Sequence, residues 1–278
     1  METQKMQKDL SNWLIASDVD GTLNTKLRTL PKRNLEAINH FVNDLNGNFT
    51  LASGRNVASI RKHYKKLPIK TPAVVMNGAG IYDFSKEEMI WYSPISEEGE
   101  KLTRELYEKC PLTEIAIFCS DIIYIVNAHI FAPVVVNADK LPHKRVKTLD
   151  DVPSGDWGKV IFFGLPFVIS KIKKSCPQGD LSPVNFVSSS VVSFEMLAKG
   201  VHKGTAVMKL AEILNISPEC VGAIGDYYND LDMLKTVALP AACGQAPKDM
   251  KAIAKVCTCH CNKGAVADLL EYLEHNYL

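Results

Sequence analysis

Polar clusters placed where short apolar runs break off constrain this chain more than any other feature. Residues 13–17, 49–52, 73–76 and 221–224 are short apolar runs. They end in Asp18-Val19-Asp20-Gly21-Thr22, Ser53-Gly54-Arg55, Asn77-Gly78 and Gly225-Asp226-Tyr227-Tyr228-Asn229-Asp230. Such runs predict buried strands leading into turns. Helical patterns lie between the first three. Pro31 opens one that carries Leu35, Ile38, Phe41, Val42 and Leu45 and is ended by Gly47. A second carries Val57, Ile60, Tyr64 and Leu67. Strand, helix, strand, helix, strand is the order of a parallel α/β sheet. Ligands of such sheets bind beyond the carboxyl ends of the strands, where these polar clusters fall.

The order changes after Asn77. Residues 81–84 and 89–92 flank a polar turn and predict a hairpin. A helix is expected over 97–109, and strands over 114–118, 122–126 and 160–164. This stretch has the character of an α+β insertion. The βα order returns near Val192, with helices over 205–214, from 231, over 248–254 and over 265–272, and strands at 221–224 and 237–241. The expected fold is therefore α/β. A discontinuous Rossmann-like core, 1–94 plus 189–278, carries an inserted α+β cap at 95–188.

The 278 residues suffice for one large domain or two ordinary ones, and 46% hydrophobic with 23% charged is ordinary for a globular chain. A net charge of +1 argues against a nucleic-acid or membrane-surface partner held by bulk electrostatics. The start of the chain is polar, without the apolar stretch of a signal peptide. The apolar run at 160–170 is too short to span a bilayer, and that at 122–138 is broken by Asn127, His129 and Asn137. A cytoplasmic protein without a membrane partner is expected, a monomer by default with a dimer open. Of 8 cysteines, five lie in apolar surroundings, as reduced core thiols do. Cys257, Cys259 and Cys261 flank Thr258 and His260, but their spacing matches no common zinc pattern. In a strand they would share one face as small buried residues.

Asp18, Asp226 and Asp230 could converge at the sheet edge, where they would repel one another unless a cation lay between them. Oxygen ligands alone favour a hard ion such as Mg²⁺. Lys203 adds a positive charge and Ser53 a hydroxyl. Such a set suits a phosphoryl group, whose transfer demands charge neutralisation above all. Asp18 and Asp20 are two apart and would face the same way on a regular strand. One could then attack while the other handles protons. Gly21 allows a sharp turn after them. Each cluster alone is an ordinary turn or helix start. Their conjunction, in this order, carries the inference.

Taken together, Asp-x-Asp-Gly-Thr, Ser-Gly-Arg, Lys203-Gly204 and Gly-Asp-x-x-Asn-Asp resemble the haloacid dehalogenase-like phosphatases. The likeness is to the Cof-type subclass, with its type IIB cap between the second and third motifs. The runs around Asn77 and from Leu197 to Ala206 resemble this subclass too. The resemblance implies a Mg²⁺-dependent phosphatase acting on small phosphorylated metabolites, sugar phosphates first. It implies that Asp18 becomes phosphoaspartyl and that Asp20 protonates the leaving oxygen, then activates water. Ser53 would bind the phosphoryl group, and Lys203 would hold the nucleophile and the phosphate charge. Mg²⁺ would sit on Asp18, the Asp20 carbonyl and Asp226, with Asn229 and Asp230 in support. Gly21, Thr22, Gly54, Arg55, Asn77 and Gly78 would line the phosphate and substrate mouth. Asp20 favours phosphate esters, because family members that cleave carbon–halogen bonds lack this second aspartate. A phosphomutase or phosphotransferase on the same aspartate, and a non-catalytic sensor, are the alternatives.

Other features carry less. The basic run 61–66 reads as a solvated helix face. Gly78-Ala79-Gly80 lacks the third glycine of a dinucleotide fingerprint. Trp157, Lys159, His129 and Asn137 are candidate substrate contacts in the cap, with packing or surface the plainer reading of each.

Overall fold

The computed structural model describes residues 9–133, 141–177, 179, 182–187 and 190–278. Leu14–Ser17 (β1) is completely buried. It lies inside a five-stranded parallel sheet ordered Val256–Cys257 (β14), Leu239–Ala242 (β13), Val221–Gly225 (β12), β1 and Asn48–Leu51 (β2). The side chains of β1 alternate between two apolar layers. Ile15 packs with Ile38, Phe41 and Leu269, whereas Leu14 and Ala16 pack with Ala206, Val207 and Met233. Both faces are thus covered by helices, which explains why the strand is uninterruptedly apolar. The register sets Ser17 opposite Ile224 and Leu51, so the polar clusters that follow all leave from one edge.

Ala73–Val75 (β3) joins β2 by a single bridge, Ala52 to Val74. It also heads a small antiparallel sheet with Gly80–Asp83 (β4) and Glu88–Tyr92 (β5), the expected hairpin. Arg61, from the basic run, is committed to packing rather than to solvent. It pairs with Glu87 and lies over the rings of Tyr82 and Phe84. The helix after Pro31 spans Lys32–Asn39 and continues as a wider turn, His40–Asp44. Its end differs from expectation. Asn46, at φ 58°, takes the left-handed conformation expected of Gly47. Gly47 is required by contact instead, because a Cβ there would lie 2.2 Å from the Phe41 ring.

The inserted segment builds a six-stranded sheet ordered Val184–Val187 (β10), Ser193–Ala198 (β11), Lys159–Phe163 (β9), Glu114–Phe118 (β6), Ile123–Val126 (β7) and His143–Val146 (β8). The expected core boundary needs correction here. Positions 188 and 189 lie outside the described residues, but β11, beyond them, is bonded to β9 and β10. A strand with both ladders in the inserted sheet belongs with that sheet, so the return to the core comes after Ala198.

Alternation divides this sheet as well. Ile115, Ile117, Val160, Phe162 and Met196 pack with Trp157 and with Leu106, Ile169 and Ile172 from helices Glu97–Lys109 and Pro166–Ser175. Ala116, Phe118, Ile161, Phe163 and Leu197, on the opposite face, join the same apolar cluster as Ile15 and Leu23. The second sheet is therefore a roof resting on the first. No helix among the described residues is long and apolar enough to cross a membrane.

Candidate active site

The parallel strands deliver Asp18, Asp20 and Asp226 to the floor of one cavity, with Asp230 fully buried beside them. Asp18 follows β1 directly, its amide donating to the Ile224 carbonyl at 3.0 Å. Asp226 follows β12, and Asp230 begins the helix Leu231–Thr236 as its N-cap. Oxygens of Asp18, Asp226 and Asp230 lie within 4.8 Å of one another. Lys203 opens the helix Lys203–Ile213, whose first turn is capped by His202. That placement sends its ammonium between two carboxylates, 2.6 Å from Asp18 Oδ1 and 2.6 Å from Asp230 Oδ1. Asp230 Oδ2 accepts the amides of Asp226 (3.0 Å) and Tyr227 (3.3 Å), so it shapes the loop that carries Asp226.

Three carboxylates face one ammonium, and the imbalance shows in the proton affinities of Asp18 and Asp226. Burial drives the Asp18 carboxyl up, to about 8; Lys203 pulls against this, and Asp230 and Asp226 add to it. Burial also raises Asp226, with repulsion from Asp230 in support. Burial works against the Lys203 charge, but Asp18 and Asp230 outweigh it and hold the ammonium above the ordinary lysine value. One divalent cation would balance the excess negative charge. An all-oxygen donor set fits Mg²⁺.

Asp18 and Asp20 line the same cavity, as their spacing predicts. The reason is not strand alternation, because β1 ends at Ser17 and the chain is already turning. Asp20 is gripped by Arg55, with Nε to Oδ2 at 2.6 Å and Nη2 to Oδ1 at 2.8 Å. Burial would raise the Asp20 carboxyl, but the Arg55 hydrogen bonds and charge outweigh it and lower it. Arg55 is itself steadied by Ser59 Oγ at 2.7 Å. Ser53 is buried at the end of β2, with its amide on the Val74 carbonyl at 3.1 Å.

The cavity measures about 430 Å³ and is lined by Asp18, Asp20, Ser53, Gly54, Arg55, Asn77, Asp226 and Asn229 below. Phe118, Lys159, Ile161 and Glu195 close it from the roof. A volume of this order suits a small metabolite.

Three of the expected substrate-facing residues serve elsewhere. Thr22 donates to Asp226 Oδ1 at 3.3 Å. Gly21 sits at φ 85°, where a Cβ would fall 2.6 Å from Asp226 Oδ2, so only glycine leaves room for that carboxylate. Gly78 packs on the helix start, where a Cβ would meet the His202 carbonyl at 2.4 Å.

Some site residues carried no motif. Gln245 donates to Asp226 Oδ2 (3.4 Å) and to the Gly21 carbonyl, while its own Oε1 accepts from the Cys261 amide (3.0 Å). That contact gives the cysteine-rich stretch its place. The strand there spans only Val256–Cys257, and Cys257 is exposed rather than buried. The loop beyond it docks behind the aspartates, and among the described residues its cysteines join no metal-holding group. In the roof, Lys159 was expected to be packing or surface, yet it is buried and faces the cavity. Trp157 is packing, His129 is exposed, and Asn137 lies outside the described residues.

Comparison with known proteins gives a consistent picture. A family profile for haloacid dehalogenase-like hydrolases matches residues 15–270. A Streptococcus pyogenes protein, provisionally named a phosphatase, is 26% identical over 259 residues, 91% of this chain and 95% of its own length. A Bacillus subtilis 5-amino-6-(5-phospho-D-ribitylamino)uracil phosphatase is 22% identical over 270 residues, 93% of this chain and 96% of its own. The solved structure of a subclass IIB sugar phosphatase superposes with a TM-score of 0.79 at 20% identity, covering 94% of this chain and 98% of that one. That structural likeness speaks for the fold.

Proposed function

We propose that this chain, which belongs to the haloacid dehalogenase-like hydrolase family, is a Mg²⁺-dependent phosphomonoesterase of small phosphorylated metabolites that works through a phosphoaspartyl intermediate on Asp18. The observation that carries this reading is the fully buried Lys203 ammonium, 2.6 Å from both Asp230 and Asp18, of which Asp18 lines the cavity. A buried carboxylate presented to the cavity and steadied by a fixed cation is what in-line attack on phosphorus requires.

Each residue then has a task. Asp18 attacks phosphorus and the ester bond to the leaving oxygen breaks. Asp20 gives that oxygen a proton, then takes one from the water that attacks the phosphoaspartate. Arg55 keeps Asp20 ionised while the cavity is empty; an incoming phosphate dianion competes for the same guanidinium and frees Asp20 to take up from solvent the proton that it gives to the leaving oxygen. Ser53 and Asn229 hydrogen-bond the phosphoryl oxygens. Mg²⁺ would rest on Asp18, Asp226 and the Asp20 carbonyl, with Asp230 behind, and would neutralise charge on the phosphoryl group. The six-stranded roof selects the leaving group. Sugar phosphates are the first candidates. Relatives named for their substrates act on a sugar phosphate and on a phosphorylated ribityl chain, both hydroxylated.

The test is phosphate release from a panel of phosphorylated metabolites. Release with Mg²⁺ that stops with a chelator and returns with added Mg²⁺ is expected. Silence across the panel from folded, metal-supplied protein would refute the reading. Phosphate moved between sugar positions with little free phosphate would replace it with a phosphomutase.

Gln245 offers a second test of the metal site. Groups that orient ligand carboxylates are worth about 10–100-fold in metal affinity. Gln245→Ala is expected to shift the Mg²⁺ concentration that raises the thermal midpoint upward by roughly that factor. An unchanged Mg²⁺ titration would remove Gln245 from the site.

A further inference from the structure

We propose that Glu195 and Asn77 form an acceptor subsite for hydroxyl groups on the substrate's leaving group, with Lys159 as the residue that positions Glu195. The proposal rests on the phosphatase reading and names the chemistry its cavity selects.

Where the roof sheet covers the cavity, Phe118 and Ile161 are joined by two charges, Lys159 on β9 and Glu195 on β11, which are 2% and 7% exposed. Buried charges are costly unless they are paired and hydrogen-bonded. These two are paired at 3.1 Å. The Lys159 ammonium also donates to the Gly54 carbonyl at 2.8 Å and stands 4.7 Å over the Phe118 ring. Its three protons are thereby directed to a carboxylate, a carbonyl and an aromatic face. Glu195 Oε2 takes a second bond, from Asn77 Nδ2 at 2.8 Å.

Two acceptors remain over. Asn77 is 4% exposed and its Oδ1 has no partner among the described residues. The bonds to Glu195 all fall on Oε2; Oε1 has no donor among the described residues and, unlike Asn77 Oδ1, is not sealed from solvent, so it is open to one from the cavity. The amide cannot turn to cure this, because its nitrogen is held by Glu195. A buried acceptor without a donor is destabilising, and a donor arriving in the cavity relieves it. Lys159 already balances the Glu195 charge, so the donor need not be a cation. A second phosphate or a carboxylate would be repelled by these two acceptors, whose cationic neighbour, Lys159, is already paired. The favoured class is therefore the monophosphate ester of a polyhydroxylated leaving group.

Sites built to bond a hydroxyl strongly reject the analogue that lacks it. The probes are sorbitol 6-phosphate and hexyl phosphate, equal in chain length and different in hydroxyls. Titration calorimetry on Asp18→Asn protein with Mg²⁺ reads binding without turnover. Sorbitol 6-phosphate is expected to bind at least about tenfold more tightly, as one or two hydrogen bonds provide. In Asp18→Asn/Glu195→Gln that preference should shrink to about threefold or less. Equal affinity for the two esters in Asp18→Asn overturns the proposal without any change at Glu195. So does a preference that survives Glu195→Gln. Equal weakening of both esters by Glu195→Gln, with the ratio kept, would mark Glu195 as a clamp between roof and floor and likewise overturn it. If Glu195→Gln fails to fold with Lys159 left unpaired, Lys159→Met/Glu195→Gln removes both charges and is read the same way. Failure of the phosphatase reading would appear separately, as wild-type protein that releases phosphate from no ester.

Discussion

Asp18→Asn is expected to lower turnover by about 10⁴-fold or more while leaving the fold intact, because it removes the nucleophile and changes little else. The amide fills the same volume, and Lys203 keeps Asp230 as a partner at 2.6 Å. Loss of one carboxylate from a floor that holds three also relieves repulsion. The metal-free variant should therefore melt at or above the wild-type temperature. Circular dichroism with phosphate-release kinetics checks both statements. Activity within about tenfold of wild type would reject Asp18 as nucleophile.

Lys203→Met acts in the opposite sense on stability. It leaves Asp18 and Asp230 buried side by side without their counter-charge. Breaking a buried pair in this way costs about 3–5 kcal/mol. Turnover should fall by at least about 10²-fold, since the group that balances charge on the nucleophile and phosphate is gone. The stability loss should also depend on pH. A carboxyl whose folded value lies above its unfolded one contributes most at low pH and loses that contribution as pH rises through the folded value. In the wild type Asp18 already holds its proton up to about 8, and loss of Lys203 raises it further, so the two folded proteins differ in Asp18 protonation only above that value. The difference in melting temperature between variant and wild type should be constant below about pH 8 and grow above it. A difference independent of pH would mean that Lys203 is packing rather than counter-charge.

The floor of the site was legible because its residues come in contiguous motifs at strand ends. A parallel sheet with short loops must bring such ends to one edge, so Asp18, Ser53 and Asp226 could be placed together before any coordinates. Lys203 was legible for a similar reason, at the start of a helix. The roof was not. Asn77 and Glu195 are 118 positions apart, and no local pattern couples a loop residue on one sheet to a strand residue on another. A weaker signal did exist. Glu195 interrupts the apolar run Phe194-Glu195-Met196-Leu197, and Lys159 stands directly before Val160-Ile161-Phe162-Phe163. A charge inside a buried strand needs a partner, which makes it a candidate for function. Gln245 offered nothing comparable, because an amide in a loop is unremarkable until its neighbours are known. The misplaced boundary at β11 has its own cause. A strand returning from an insertion has the same composition as one returning to the core, and only its ladder partners tell them apart.

The account turns on a phosphoryl group passing through Asp18. The most direct measurement is an acid-quenched single turnover with a sugar phosphate and Mg²⁺, followed by peptide mass spectrometry. The account predicts a phosphoryl group on the peptide that contains Asp18, appearing before free phosphate and absent in Asp18→Asn. Free phosphate formed at full rate with no phosphorylated peptide, or with the group on another residue, would contradict it.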